Sequence, residues 1–171
     1  MYSFALKPEK HHILIEKPIT DNLEDAIELV ELAKLNKVNL MVGHLLLFHP
    51  AFIKIKKMIK EGKLGELQYI YSNRLNFGTV RDNENVFWSF APHDISMILS
   101  LIGEEPCNVE ASAGYYLNKK IADTTMTFMH FSKGIKAHVF VSWLHPIKDQ
   151  RLVVVGDKAM ATFIDVEKNE N

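Results

Sequence analysis

Two short stretches carry side chains able to move a proton. Glu16-Lys17-Pro18 follows directly on the apolar run Ile13-Leu14-Ile15, and Asn85-Val86-Phe87-Trp88-Ser89-Phe90-Ala91-Pro92-His93-Asp94-Ile95-Ser96 sets a histidine beside an aspartate. A lysine ammonium can bind a hydroxyl and favour the alkoxide that develops there, while an imidazole can take the proton as general base. The first stretch reads as the C-terminal end of a parallel strand, the edge where open α/β sheets place ligands. A surface turn with two solvated charges would have the same letters. In the second, Pro92 reads as the start of a helix running to Ile102, with Gly103 after its end and His93 in its first turn. The positive end of the helix macrodipole disfavours imidazolium there, and a nearby lysine would push the same way. Asp94 needs no catalytic role, because the free N–H groups of a first turn stabilise a carboxylate. A partly buried histidine bonded to a backbone carbonyl is the alternative for His93.

Asn73-Arg74-Leu75-Asn76, followed by Arg81, reads as a polar cluster leaving a strand for a loop. Two guanidinium groups there could clamp a carboxylate or pyrophosphate bidentately, with solvated loop arginines as the alternative. His11, His12, His44 and His49 lack the spacing of a zinc site, so no metal is expected. Trp143 and His145, before Pro146, read as the packed close of a strand end.

These residues need elements to hold them. Residues 11 to 43 read as strand, helix, strand: Ile13 to Ile15, then Leu23, Ile27, Val30 and Leu35 at helical spacing behind a capping-box-like Asp21 and Glu24, then Leu40 to Val42 ending at Gly43. Both strands have the continuous apolar pattern of a sheet buried on two faces. After Pro50 comes a helix (Ala51, Phe52, Ile55, Met58, Ile59) with Lys54, Lys56, Lys57 and Lys60 as its solvated face and Gly62 to stop it. Strand-like stretches then dominate: 67–77, 109–116, 124–131, 135–143, 152–155 and 159–166. Tight connections at Ser132-Lys133-Gly134 and Gly156-Asp157 predict hairpins and antiparallel pairing. The fold class is α+β: a βαβ remnant over residues 1–45, then over 46–171 an antiparallel sheet with helices on one face.

The chain has 171 residues, 47% of them hydrophobic, and 20 basic against 21 acidic side chains give a net charge of −1. That balance carries no electropositive footprint for nucleic acid or an anionic membrane surface. A single cysteine, Cys107, can form neither an internal disulfide nor a thiolate cluster, and no apolar run approaches a membrane span, so a cytoplasmic protein is expected. Met1 to Lys10 reads as the tail of a helix (Tyr2, Phe4, Ala5, Leu6) joined in mid-course.

Together these stretches resemble the Gfo/Idh/MocA oxidoreductase superfamily, and within it the branch that oxidises the 3-hydroxyl of UDP-N-acetylglucosamine or its uronic acid in nucleotide-sugar and surface-polysaccharide biosynthesis. The resemblance covers nearly the whole chain. Its anchors are Glu16-Lys17-Pro18, Val42-Gly43-His44 leading to His49-Pro50, Ser72-Asn73-Arg74-Leu75-Asn76, Trp88-Ser89-Phe90-Ala91-Pro92-His93-Asp94-Ile95 and Ser142-Trp143-Leu144-His145-Pro146. It implies Lys17 and His93 as the catalytic pair on either side of the reacting carbinol, either of them the base. Glu16, Lys17 and Pro18 would meet an NAD cofactor, NADP remaining open. Arg74, Asn76, Arg81 and His93 would face a nucleotide-sugar substrate, and the sheet would mediate homo-oligomer formation. Many superfamily members carry aspartate four residues before the histidine, where this chain has Ser89. Members also begin with a Rossmann domain that carries a Gly-x-Gly-x-x-Gly turn and continue past the position of Asn171, so the resemblance makes residues 1–45 the remnant of a Rossmann domain and 46–171 an incomplete substrate-binding domain. No such turn occurs among the eight glycines here, so the chain reads as a fragment that alone should show no NAD-dependent turnover. The alternative from another class is a non-catalytic sugar-nucleotide-binding or oligomerising module, or an inactive truncated paralogue.

Overall fold

The short apolar runs Ile13–Ile15 (β1) and Leu40–Val42 (β2) pair in parallel, Leu14 opposite Met41, and the helix Leu23–Asn36 (α1) crosses between them in the computed structural model, which describes residues 11–165. Met1 to Lys10 and Val166 therefore lie outside the described residues. The N-cap of α1 is one residue later than expected. Asn22 Oδ1 accepts from the Asp25 N–H at 2.8 Å and its amide donates back to the Asp25 carboxylate. Asparagine is as good an N-cap as aspartate, so the motif slides from Asp21/Glu24 to Asn22/Asp25. The helix buries Leu29 and Ala33, whereas Leu23, Ile27 and Leu35 are half or more exposed, as are Leu14 and, nearly so, Met41. The two-faced burial expected of β1 and β2 is thus not completed among the described residues.

The chain divides into two compact units between His44 and Leu45. The second opens with a 3-10 turn, Leu45–Phe48, and the helix Pro50–Lys60 (α2), where Pro50 occupies the first turn and His49 Nδ1 caps it by accepting from the Ala51 N–H. There follow Leu67–Phe77 (β3), Val86–Ile102 (α3), Asn108–Gly114 (β4), Thr124–His130 (β5), Lys136–Ser142 (β6), Leu144–Gly156 (β7) and Met160–Ile164 (β8). The six strands form one sheet in the order β4-β5-β6-β3-β7-β8. Both hairpins form: Lys133 and Gly134, each at positive φ, turn β5 into β6, and Gly156-Asp157 joins β7 to β8. One pairing departs from expectation. β3 and β6 run parallel, Ile70 opposite Ala137, so the sheet is mixed, with one parallel pair at its centre. β7 is also much longer than the apolar run at 152–155 suggested. Its first half, rich in polar residues, is recruited by pairing with the end of β3, Gln150 opposite Arg74 and Asp149 opposite Leu75.

The core lies between one face of this sheet and the helices α2 and α3. Phe52, Ile55, Leu64, Ile70, Met97, Ile98, Val139, Val141, Trp143, Leu152, Val154 and Phe163 are all essentially buried there. No helix of the described residues is long and apolar enough to cross a membrane.

Candidate active site

In the first unit, β1 and β2 end side by side, so Glu16-Lys17 and Gly43-His44 leave the sheet at the same carboxyl edge; the Gly43 N–H donates to the Ile15 carbonyl at 2.7 Å. A Cβ on Gly43 would stand 3.2 Å from Glu16 Oε2, so glycine is what lets that carboxylate lie against the backbone. The Lys17–Pro18 peptide is cis. Burial, reinforced by the Lys17 charge, pushes the His44 imidazole below its ordinary pKa. Its Nδ1 is buried with no hydrogen-bond partner among the described residues. The sequence offered His44 as an anchor of the resemblance and as a metal ligand without zinc spacing; its place two residues past a strand end was the signal for a role at the sheet edge.

In the second unit, α3 is longer than the proline suggested. Asn85 Oδ1 caps it by accepting from the Trp88 N–H at 3.0 Å, and the Val86 N–H is held by the Ala122 carbonyl. Pro92 therefore lies inside the helix. His93 sits two turns from the N-terminus, beyond the reach of the macrodipole, which therefore does not favour a neutral imidazole there. The reading of Asp94 changes for the same reason. It is buried in the middle of α3, where its carboxylate accepts from Arg74 Nε at 2.8 Å and from Ser72 Oγ at 2.6 Å. Arg74 and Ser72 are inward residues of β3, on the face that also carries Ile70. The Arg74 guanidinium further reaches Asp165 at 3.4 Å. Burial acts to lower its pKa, but the Asp94 and Asp165 carboxylates outweigh it and hold the guanidinium above its ordinary value.

The two-arginine clamp is corrected accordingly. Arg74 is a buried cross-link between β3 and α3, and Arg81, half-exposed in the loop after β3, is paired with Glu84 at 2.6 Å. Asn76 lies near the end of β3, half-buried, with its amide near Gly78. The fold thus joins Arg74 to Asp94 across β3 and α3, sets His93 next to Asp94 along the helix, and leaves Arg81 to the adjoining loop. Among the remaining histidines, His12 Nδ1 accepts from the Asn39 N–H and His145 lies against the Ile147 backbone. Trp143 is buried, as its packing role required.

Burial also lowers the pKa of His138, which stacks on Tyr71 at 5.3 Å between ring centroids. With His44 it makes one pH effect definite in sign. A histidine whose folded pKa is depressed binds fewer protons in the native than in the unfolded state, so stability falls as pH drops below about 6.5 toward the lowered value. Thermal denaturation scanned from about pH 7.5 to pH 5 should show that loss, and His138→Phe should shrink it. An identical pH dependence in the variant would contradict the assignment.

A family profile described as the GFO/IDH/MocA C-terminal domain matches residues 52–162, and one described as an oxidoreductase family with an NAD-binding Rossmann fold matches residues 1–44. The chain belongs to the GFO/IDH/MocA oxidoreductase family, joining a partial Rossmann N-terminus to that family's mixed-sheet domain. Among its relatives, the UDP-N-acetylglucosamine 3-dehydrogenase of Acidithiobacillus ferrooxidans is 30% identical over 132 residues, 77% of this chain and 41% of that protein. The inositol 2-dehydrogenase of Rhizobium meliloti is 29% identical over 116 residues, 65% of this chain and 35% of that one. A solved structure of the Acidithiobacillus enzyme superimposes with a TM-score of 0.77 at 26% identity, over 90% of this chain and 48% of the other. The chain spans about half the length, or less, of the curated relatives it matches.

The first unit can be tested against the nicotinamide cofactor of this family. The carboxyl edge of a parallel sheet, a carboxylate laid against Gly43, and a buried imidazole nitrogen at His44 fit hydroxyl and amide groups of a nicotinamide nucleoside. The glycine-rich turn that cradles the pyrophosphate is not among the 171 residues.

Proposed function

We propose that this chain supplies the substrate-side machinery of an NAD(P)-dependent dehydrogenase that oxidises the 3-hydroxyl of a UDP-N-acetylated sugar or sugar acid. The observation that carries the reading is the 30% identity over 132 residues to a relative named UDP-N-acetylglucosamine 3-dehydrogenase. When bound, the nicotinamide accepts the hydride. His93 takes the hydroxyl proton, Lys17 binds the hydroxyl and favours the developing alkoxide, and Glu16 and His44 hold the nicotinamide end. Arg81 and Asn76 contribute to the substrate pocket, and Arg74 acts through Asp94 by fixing the turn of α3 that carries His93.

A second reading, oxidation of a cyclic polyol, is favoured by the similarity to inositol 2-dehydrogenases. Calorimetry with UDP-N-acetylglucosamine, its uronic acid and myo-inositol separates the two. Binding of a UDP-sugar with none of the cyclitol supports the first reading; the reverse pattern overturns it.

We further propose that the chain self-associates through the outer face of the sheet. That face exposes Tyr69, Met126, Phe128, Met160 and Ile164, an apolar stretch that water leaves poorly satisfied. Light scattering should find a dimer or larger species at tens of micromolar, roughly the range of a modest interface, and Phe128→Glu should weaken it. A monomer at that concentration contradicts the proposal.

A further inference from the structure

At one edge of the six-stranded sheet, β4 is bonded only to β5 among the described residues. Asn108 to Ala113 are exposed on both faces of that strand. Val109, Ala111 and Ala113 lie opposite the buried Met129, Thr127 and Thr125, so they belong to the inner face of the sheet. The helix α3 packs on β3, β5 and β6, and β4 overhangs beyond it. An edge strand presents a row of unpaired N–H and C=O groups, which folds commonly blunt with lysine, proline or a bulge. β4 has none of these in its seven residues, and its one charge is Glu110. The opposite edge is better guarded, since β8 has five residues and packs against α2. Large apolar groups collect at the β4 edge: Val109, Tyr115, Tyr116 and Leu117 are each more than half exposed. They are held in place. Asp123 Oδ2 accepts from the Tyr116 and Leu117 N–H groups at 2.7 Å each, and the Tyr116 ring lies over Gly114, where a Cβ would meet it at 2.5 Å.

We infer that β4 pairs antiparallel with β4 of a second copy of this chain, about a two-fold axis at Ala111, joining the two sheets edge to edge. The strand's own letters select that occupant. With Ala111 opposite itself all seven residues pair: Val109 meets Ala113, Glu110 meets Ser112 and Asn108 meets Gly114. Residues directly opposite in an antiparallel pair share a face, so the two overhangs of Val109, Ala111 and Ala113 become one apolar stripe. Moving the axis to Glu110 would set two carboxylates against each other. Moving it to Ser112 would leave Asn108 and Val109 beyond the end of the other strand. An axis between residues would join the inner face of one copy to the outer face of the other. One register therefore satisfies charge, length and face together, and it brings Tyr116, lying on Gly114, beside Asn108 of the second copy. The contact is independent of the outer-face association proposed above.

The test uses the 171-residue chain with Cys107→Ser, which removes its native thiol. Ala111→Cys then sets two thiols opposite each other across the axis, at the Cα separation a disulfide spans. With glutathione disulfide as oxidant, that variant should form a covalent dimer roughly tenfold or more faster than Val109→Cys, whose thiols the register holds apart. Charge gives a second readout at an exposed position. Ser112→Glu places a carboxylate opposite Glu110 twice over by symmetry, so the dimer Kd from sedimentation velocity should rise roughly five- to tenfold, and Ser112→Lys should lower it. Equal cross-linking of the two cysteine variants would mean random collision, and a Kd that ignores the charge at Ser112 would mean that the edges do not meet; each overturns the inference. Ala111 lies on the inner face, which an outer-face contact does not bring together, so the cross-link tells failure of one contact from failure of the other.

Discussion

Arg74→Ala should cost about 3–5 kcal/mol of stability, because it leaves the Asp94 carboxylate buried without its cation. For a chain of this length that is roughly 10 °C or more in Tm. Asp94 is 1% exposed and Arg74 6%, so solvent can repair little of the loss. Asp94→Ala should be comparably severe, since it strands the guanidinium against only the 3.4 Å contact to Asp165 and leaves Ser72 Oγ with the Arg151 carbonyl alone. The pair itself need not be a net source of stability, because desolvating both charges offsets much of their attraction. Arg74→Met with Asp94→Leu should therefore recover most of what either alanine loses. Denaturant titration of the four proteins checks this, and single variants within about 1 kcal/mol of the parent would contradict the buried cross-link.

In an active dehydrogenase containing these two units, His93→Ala should lower kcat by roughly 10²–10⁴, the range of general base catalysis, with little change in substrate affinity. The rising limb of the pH–rate profile expected of a histidine base should go with it. Lys17→Ala should lose activity to a similar degree. Asp94→Asn would keep the helix and one bond to Arg74 while loosening the turn beside His93, so it should fall between His93→Ala and the parent. An unchanged kcat in either alanine variant removes that residue from the mechanism. The helix-end setting expected for His93 fails because Asn85, not Pro92, opens α3.

That failure shows where the letters are ambiguous. A proline opens helices far more often than it sits inside them, but Asn85 three residues before Trp88 is a competing start signal, and the bond from Val86 to Ala122 decided in its favour. The buried role of Arg74 was legible and missed. Once β3 is drawn from Leu67 to Phe77, the alternation of a strand puts Ile70, Ser72 and Arg74 on one face, and the apolar character of the first requires that face to be the inner one. The hairpins at Lys133-Gly134 and Gly156-Asp157 were legible because turn chemistry is local. The first half of β7 was not, since Lys148, Asp149, Gln150 and Arg151 carry no apolar period and are strand only because β3 lies beside them.

The parallel pairing of β3 with β6 bears on how the chain is made. A sheet of successive hairpins can be laid down as it is synthesised, each strand finding the one before it. Here β3 is translated early and both of its neighbours, β6 and β7, come after α3, β4 and β5. Until the ribosome has released β6, β3 has no partner on either edge, and until β7 follows it has only one. Closure over so long an intervening segment is entropically slow and leaves an adhesive edge open meanwhile. The sheet's centre is thus completed late, and nascent chains halted before β7 should be the ones that depend on chaperones.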